Sequence, residues 1–95
     1  MDLLIATSPI REFSYIDMVI DSIRHQTFRK RYILFDYPNN ESIADEYNKY
    51  IKRVRDKYEK DGFILLVSEK HRHFREGVKW AINTFVKSDW ICLIQ

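Results

Sequence analysis

The residues best suited to chemistry lie in three short stretches. The segment "EKHRHFR" gathers Lys70, His71, Arg72, His73 and Arg75 within six positions, just ahead of an apolar helical pattern. Free backbone N–H groups and the helix dipole favour an anion at such a place, so a diphosphate would suit it. A solvated basic loop is the plainer reading. His71 and His73 are also a candidate pair of metal ligands, although a two-residue spacing with no other clustered ligand is a weak metal signature. In "TSPIR", Thr7 supplies a hydroxyl and Arg11 a guanidinium, groups that suit a nucleotide's base, ribose or phosphate. Asp36 directly follows the apolar run "RYILF" and can accept hydrogen bonds from a ribose or from the imide N–H of a uracil. Helix capping is the rival role for Asp36, with Asn40 and Ser42 nearer to the helix that follows.

These residues have to be positioned by regular elements, and the apolar pattern supplies them. "LLIAT", "RYILF", "FILLV" and "WICLI" read as four buried strands. Between them, three helical stripes recur: Ile16, Val19, Ile20 and Ile23; then Ile43, Tyr47, Tyr50, Ile51, Val54 and Tyr58; then Val78, Ala81, Ile82, Phe85 and Val86. Ser14 is placed to cap the first helix, and Asn40 or Ser42 the second. Strands apolar at every position and alternating with helices predict an α/β fold, a Rossmann-like three-layer sandwich. Right-handed crossovers make a parallel sheet of order 3-2-1-4 reachable, with helices on both faces. A ligand then belongs beyond the C-terminal ends of the strands, where the order reverses. Thr7, Asp36 and the basic loop all fall at that end.

Composition narrows the classes. The 95 residues form a single domain, with 45% hydrophobic and 32% charged residues and only two Gly and two Pro. The apolar runs fall far short of the roughly 20 residues that cross a bilayer, and no signal-peptide layout opens the chain, so a cytoplasmic location is expected. Cys92 is the lone cysteine and reads as a small hydrophobe of the last strand. A net charge of +2 gives little reason to expect nucleic acid. The basic run "KYIKRVRDKYEK" reads as a solvated helix face. A G-x-G-x-x-G is missing after the first strand, which disfavours a dinucleotide-dependent dehydrogenase.

Taken in order, several stretches resemble the N-terminal, nucleotide-binding half of a GT-A fold glycosyltransferase, of the large inverting family 2-like group that includes cellulose, chitin and hyaluronan synthases. They are "IATSPIR", "DSIRHQTF", "ILFD", "GVKWAIN", which is similar to a G-x-x-x-A-x-N helix, and "SDWICLIQ", which is similar to the strand running into a metal-binding Asp-x-Asp. The resemblance covers nearly the whole chain. It implies that Thr7 and Asp36 hold the base and ribose of a UDP-sugar or similar donor, with the basic loop of Lys70, Arg72 and Arg75 near the nucleotide; Arg11 joins this nucleotide-binding set through its guanidinium. Tyr37 and Pro38 depart from the family's Asp-Asp or Asp-Gly-Ser at those places. The family's cation is Mg²⁺ or Mn²⁺. Its Asp-x-Asp and its later catalytic base would follow Gln95, so this chain alone is expected to hold no metal and to transfer no sugar. The alternative is a non-catalytic α/β binding or assembly module. On either reading the terminal strand is expected to be exposed, and self-association or a partner polypeptide completing the fold follows from that.

Overall fold

The computed structural model describes residues 1–7, 15–37, 41–87 and 90–94. Four strands carry the sheet: β1 (Asp2–Thr7), β2 (Arg31–Phe35), β3 (Phe63–Val67) and β4 (Ile91–Ile94). They alternate with α1 (Tyr15–Ile23), α2 (Ala44–Tyr58) and α3 (His73–Thr84). The sheet is wholly parallel in the order β3-β2-β1-β4, as the sequence pattern predicts.

Residues alternate between the two faces, and each face has its own core. Leu3 and Ile5 of β1, Ile33 and Phe35 of β2 and Phe63 of β3 point toward α1 and α2. There they meet Ile16, Val19 and Ile20 from α1, and Tyr47, Tyr50, Ile51, Val54 and Tyr58 from α2. The rings of Tyr47 and Tyr50 pack edge-on to Phe35, at centroid distances of 6.2 and 5.9 Å. On the opposite face, Leu4, Ala6, Tyr32, Leu34 and Leu66 pack against Val78 and Ala81 of α3. Gly77 lies one turn before Ala81. A Cβ at Gly77 would sit 3.6 Å from a Leu34 methyl, so this stripe brings α3 close over β2.

Coverage by α3 is incomplete. Ile64 of β3 and Leu93 of β4 share its face, since Ile64 pairs with Tyr32 and Leu93 with Leu4 in the strand register. They are nonetheless 39% and 42% exposed. Strands apolar at every position predicted full burial; one helix spans the middle of a four-stranded face and leaves both margins open. The core strand is β1, buried along its whole length.

Several local expectations are corrected. A 3-10 turn over Glu41–Ile43, which includes Ser42, precedes α2, and the N-cap position of that helix falls on Ile43 and not on Ser42. The other two expected caps, Ser14 and Asn40, fall outside the described residues. The last strand begins at Ile91, with Trp90 ahead of it and 77% exposed. Phe85 is the exposed C-cap of α3 and not part of the core stripe. Cys92 is half-buried and packs against the α1/α2 core.

Candidate functional site

The strand order decides which loops meet. Thr7, Phe35 and Val67 are level across β1, β2 and β3, so Asp36 and Ser68 emerge side by side at the C-terminal edge of the sheet. Backbone bonds extend the ladder one step further: the Asp36 N–H donates to the Thr7 carbonyl at 3.4 Å, and the Ser68 N–H to the Phe35 carbonyl at 2.9 Å. The loop leading into α3 therefore passes directly over the tip of β2.

Asp36 is the hub of that crossing. Its Oδ1 accepts from the backbone N–H of Tyr37 at 2.9 Å and from that of Arg72 at 2.8 Å. Its Oδ2 lies 3.1 Å from His71 Nδ1. Arg72 is the N-cap residue of α3, which has no side-chain cap of its own. The Asp36 carboxylate thus stands at the N-terminus of α3, where a negative charge is favoured by the exposed N–H groups and the helix dipole. Capping was the rival role for Asp36, but the helix concerned is α3 and not the neighbouring α2.

The imidazoles continue the network. His71 Nδ1 also lies 2.7 Å from the Tyr37 carbonyl oxygen. Facing two oxygens, Nδ1 carries a hydrogen, and in the neutral ring Nε2 is then the acceptor. Nε2 in turn lies 3.1 Å from Nδ1 of His73. His73 has a left-handed backbone, φ 61°, the one positive φ among the described non-glycine residues. Such a conformation costs of order 1 kcal/mol for a residue with a Cβ.

Of the basic residues, Arg72 is the most committed. Its Nε donates to Ser68 Oγ at 2.9 Å, its guanidinium lies 4.7 Å from the Trp80 ring centre, and Ser68 Oγ donates to the Lys70 carbonyl at 2.6 Å. Lys70 and Arg75 are exposed beside it. Arg11 lies outside the described residues.

Beneath Thr7 and Asp36 sit the phenols of α2. Burial, the neighbouring Tyr50 and the Asp36 charge push the Tyr47 hydroxyl well above the ordinary range. Burial raises that of Tyr50 to about 12, tempered by the nearby Thr7 hydroxyl. The Thr7 hydroxyl forms no well-shaped hydrogen bond there. Tyr50 also contributes, with Glu46, Lys49 and Arg53, to a shallow depression on the surface of α2.

The structure brings Thr7, Asp36, Lys70, Arg72 and Arg75 to one end of the sheet. Sequence reasoning missed Tyr37, Ser68 and Trp80, and missed that His71 belongs to Asp36. The signal was available in the strand order, because a 3-2-1-4 sheet makes the loops after β2 and β3 neighbours.

The Mg²⁺ or Mn²⁺ implied by the family resemblance finds no matching donor set. Among the described residues no group of three or more His, Cys, Asp or Glu could hold a metal ion. Asp36, the carboxylate at the strand tips, faces N–H donors. Among the described residues no helix is long and apolar enough to cross a membrane. No family model, curated protein or solved structure matches the chain.

Proposed function

We propose that the chain is the nucleotide-binding portion of a glycosyltransferase that uses a nucleotide diphosphate sugar. The observation that carries this reading is the reversal of strand order at β1, with Thr7 and Asp36 on adjacent strand tips. Ligands of open parallel sheets bind in the crevice outside such a reversal. Ionised, a carboxylate offers about four acceptor positions. Oδ1 of Asp36 takes two donors and Oδ2 one, which leaves Oδ2 an acceptor for a base imide or a ribose hydroxyl. Lys70 and Arg75, exposed beside the first turn of α3, supply charge for a diphosphate. Arg72 acts through position, since its guanidinium is held by Ser68 and Trp80.

Binding and transfer separate in this reading. Inverting transfer needs a base for the acceptor hydroxyl and a stabiliser for the departing diphosphate. The sequence contains no Asp-x-Asp. The 95-residue polypeptide is therefore expected to bind nucleotide weakly, with little response to Mn²⁺, and not to turn over a sugar nucleotide.

Titration with UDP and UDP-sugars, followed by backbone amide NMR, tests the reading. Saturable shifts should centre on Thr7, Asp36, Lys70 and Arg75. Lys70→Ala with Arg75→Ala should weaken binding about tenfold or more, while leaving the fold intact. Shifts confined to another surface, or no saturation at millimolar nucleotide, would reject it.

A second reading has one observation in its favour. Leu93 and Ile64 leave the margins of the α3 face apolar and exposed, as an assembly module pairing through its sheet would.

A further inference from the structure

We propose that His71 and His73 form a chelate for a borderline divalent transition ion such as Zn²⁺, Ni²⁺ or Cu²⁺, with Asp36 orienting the first imidazole. The proposal shares Asp36 with the nucleotide reading but does not depend on it, and it needs no sugar nucleotide for its test.

The geometry points there in three ways. First, His71 Nε2 and His73 Nδ1 are 3.1 Å apart. Two metal–nitrogen bonds of about 2.0–2.1 Å spanning that distance would meet at an angle of about 100°, between square or octahedral and tetrahedral values. Second, the ring centres are only 4.1 Å apart and the planes cross at 73°. The rings therefore stand side by side, whereas a linear N–H···N bond would string them out in line. Third, His71 Nδ1 is held by the Asp36 carboxylate at 3.1 Å and the Tyr37 carbonyl at 2.7 Å. A carboxylate behind a ligating imidazole fixes its tautomer and raises its basicity at the opposite nitrogen, here Nε2.

The proton balance is simple. With neutral rings, the hydrogen on His73 Nδ1 occupies the space between the two nitrogens. On binding it moves to His73 Nε2, and Nδ1 becomes a ligand with no net change in charge. Among the described residues no third protein ligand joins the pair, so water completes the coordination. The helix terminus and Lys70, Arg72 and Arg75 oppose a cation held by charge alone. Mg²⁺, which depends on oxygen ligands and charge, is thereby excluded, while imidazole suits the later transition metals.

His25, the third histidine of the chain, is an internal control on an exposed turn after α1. Zn²⁺ is titrated into the ¹⁵N-labelled 95-residue chain, and imidazole nitrogens and calorimetric stoichiometry are followed. One ion per chain should bind, shifting His71 Nε2 and His73 Nδ1 but not His25, with no response to Mg²⁺. His73→Asn keeps a residue that tolerates the left-handed backbone and should weaken Zn²⁺ at least tenfold. Asp36→Asn, checked for fold by circular dichroism, should weaken it about 10–100-fold. Equal affinity in His73→Asn, an equal response of His25, ligation through His71 Nδ1, or no saturable binding would each overturn the proposal.

Discussion

The carboxylate of Asp36, at the tip of β2, accepts the backbone N–H of Arg72, 36 residues away, at 2.8 Å. One side chain thus closes the end of its own strand and caps a helix that belongs to the next crossover. Asp36 is only 6% exposed, so its removal leaves N–H groups that water reaches poorly. Asp36→Ala should therefore cost about 1–3 kcal/mol in denaturant unfolding. Asp36→Asn should cost less, because its amide oxygen still serves Tyr37 and Arg72 while the bond to His71 weakens. Equal losses for the two variants would show that the capping contact contributes little.

At His73 the backbone is the strained element, with φ 61°. Glycine adopts this region without a Cβ penalty and asparagine tolerates it. His73→Gly should raise stability by about 0.5–1 kcal/mol, seen as a higher Tm, and His73→Asn by a smaller amount. A fall in stability for both would mean that the contact with His71 outweighs the backbone cost.

How far the sequence revealed this arrangement differs between elements. Strands and helices were legible because each imposes a period on its apolar residues: "RYILF" and the stripe from Tyr47 to Tyr58 appear where expected. The sheet order followed from handedness and burial. Caps were harder. Ser42 sits in a 3-10 turn, and the cap of α3 comes from Asp36, a partner that only tertiary structure brings near. The site divides in the same way: Thr7 and Asp36 are strand-end residues whose position follows from the pattern, whereas Arg72 reads as a free cation until Ser68 and Trp80 are seen to hold it. The exposed margins at Ile64 and Leu93 were hidden because an apolar residue in a strand does not announce how wide a helix will cover it.

Asp17 links the two helices of the other face. It accepts from the Tyr58 hydroxyl at 2.5 Å and from Lys57 Nζ at 3.1 Å. Burial works to raise its pKa, but these donors and the charges of Lys57 and Arg53 outweigh it, and the carboxyl is held below its ordinary 3.8. A depressed folded pKa contributes stability that is present above the unfolded value and lost as pH falls through the folded one. Tyr58→Phe should therefore destabilise the chain by about 1 kcal/mol at neutral pH, after allowing for partial exposure. The penalty should shrink as pH falls below 3.8, where Asp17 becomes protonated in both proteins. Parallel stability–pH curves for the two proteins from pH 7 to pH 2 would contradict the assignment.

The margins of the sheet make the last prediction. Within the described residues β3 pairs only with β2, and β4 only with β1, so each presents an edge with unpaired backbone groups. Apolar side chains lie at both edges: Ile64 and Val67 on β3, each 39% exposed, and Leu93 on β4, 42% exposed. Edges of this kind invite strand addition or face-to-face packing when no charge, proline or bulge blocks them. The chain should self-associate with rising concentration, measurable by light scattering coupled to size exclusion. Leu93→Lys places a solvated charge on the β4 margin and should shift the equilibrium toward monomer. Its own cost should stay within about 1 kcal/mol, since the side chain is already partly in water. If association is instead driven by β3, Leu93→Lys will leave it unchanged and Ile64→Lys will abolish it. Strictly monomeric wild-type protein at millimolar concentration would show that neither edge is sticky, and would remove the observation that favours the assembly reading.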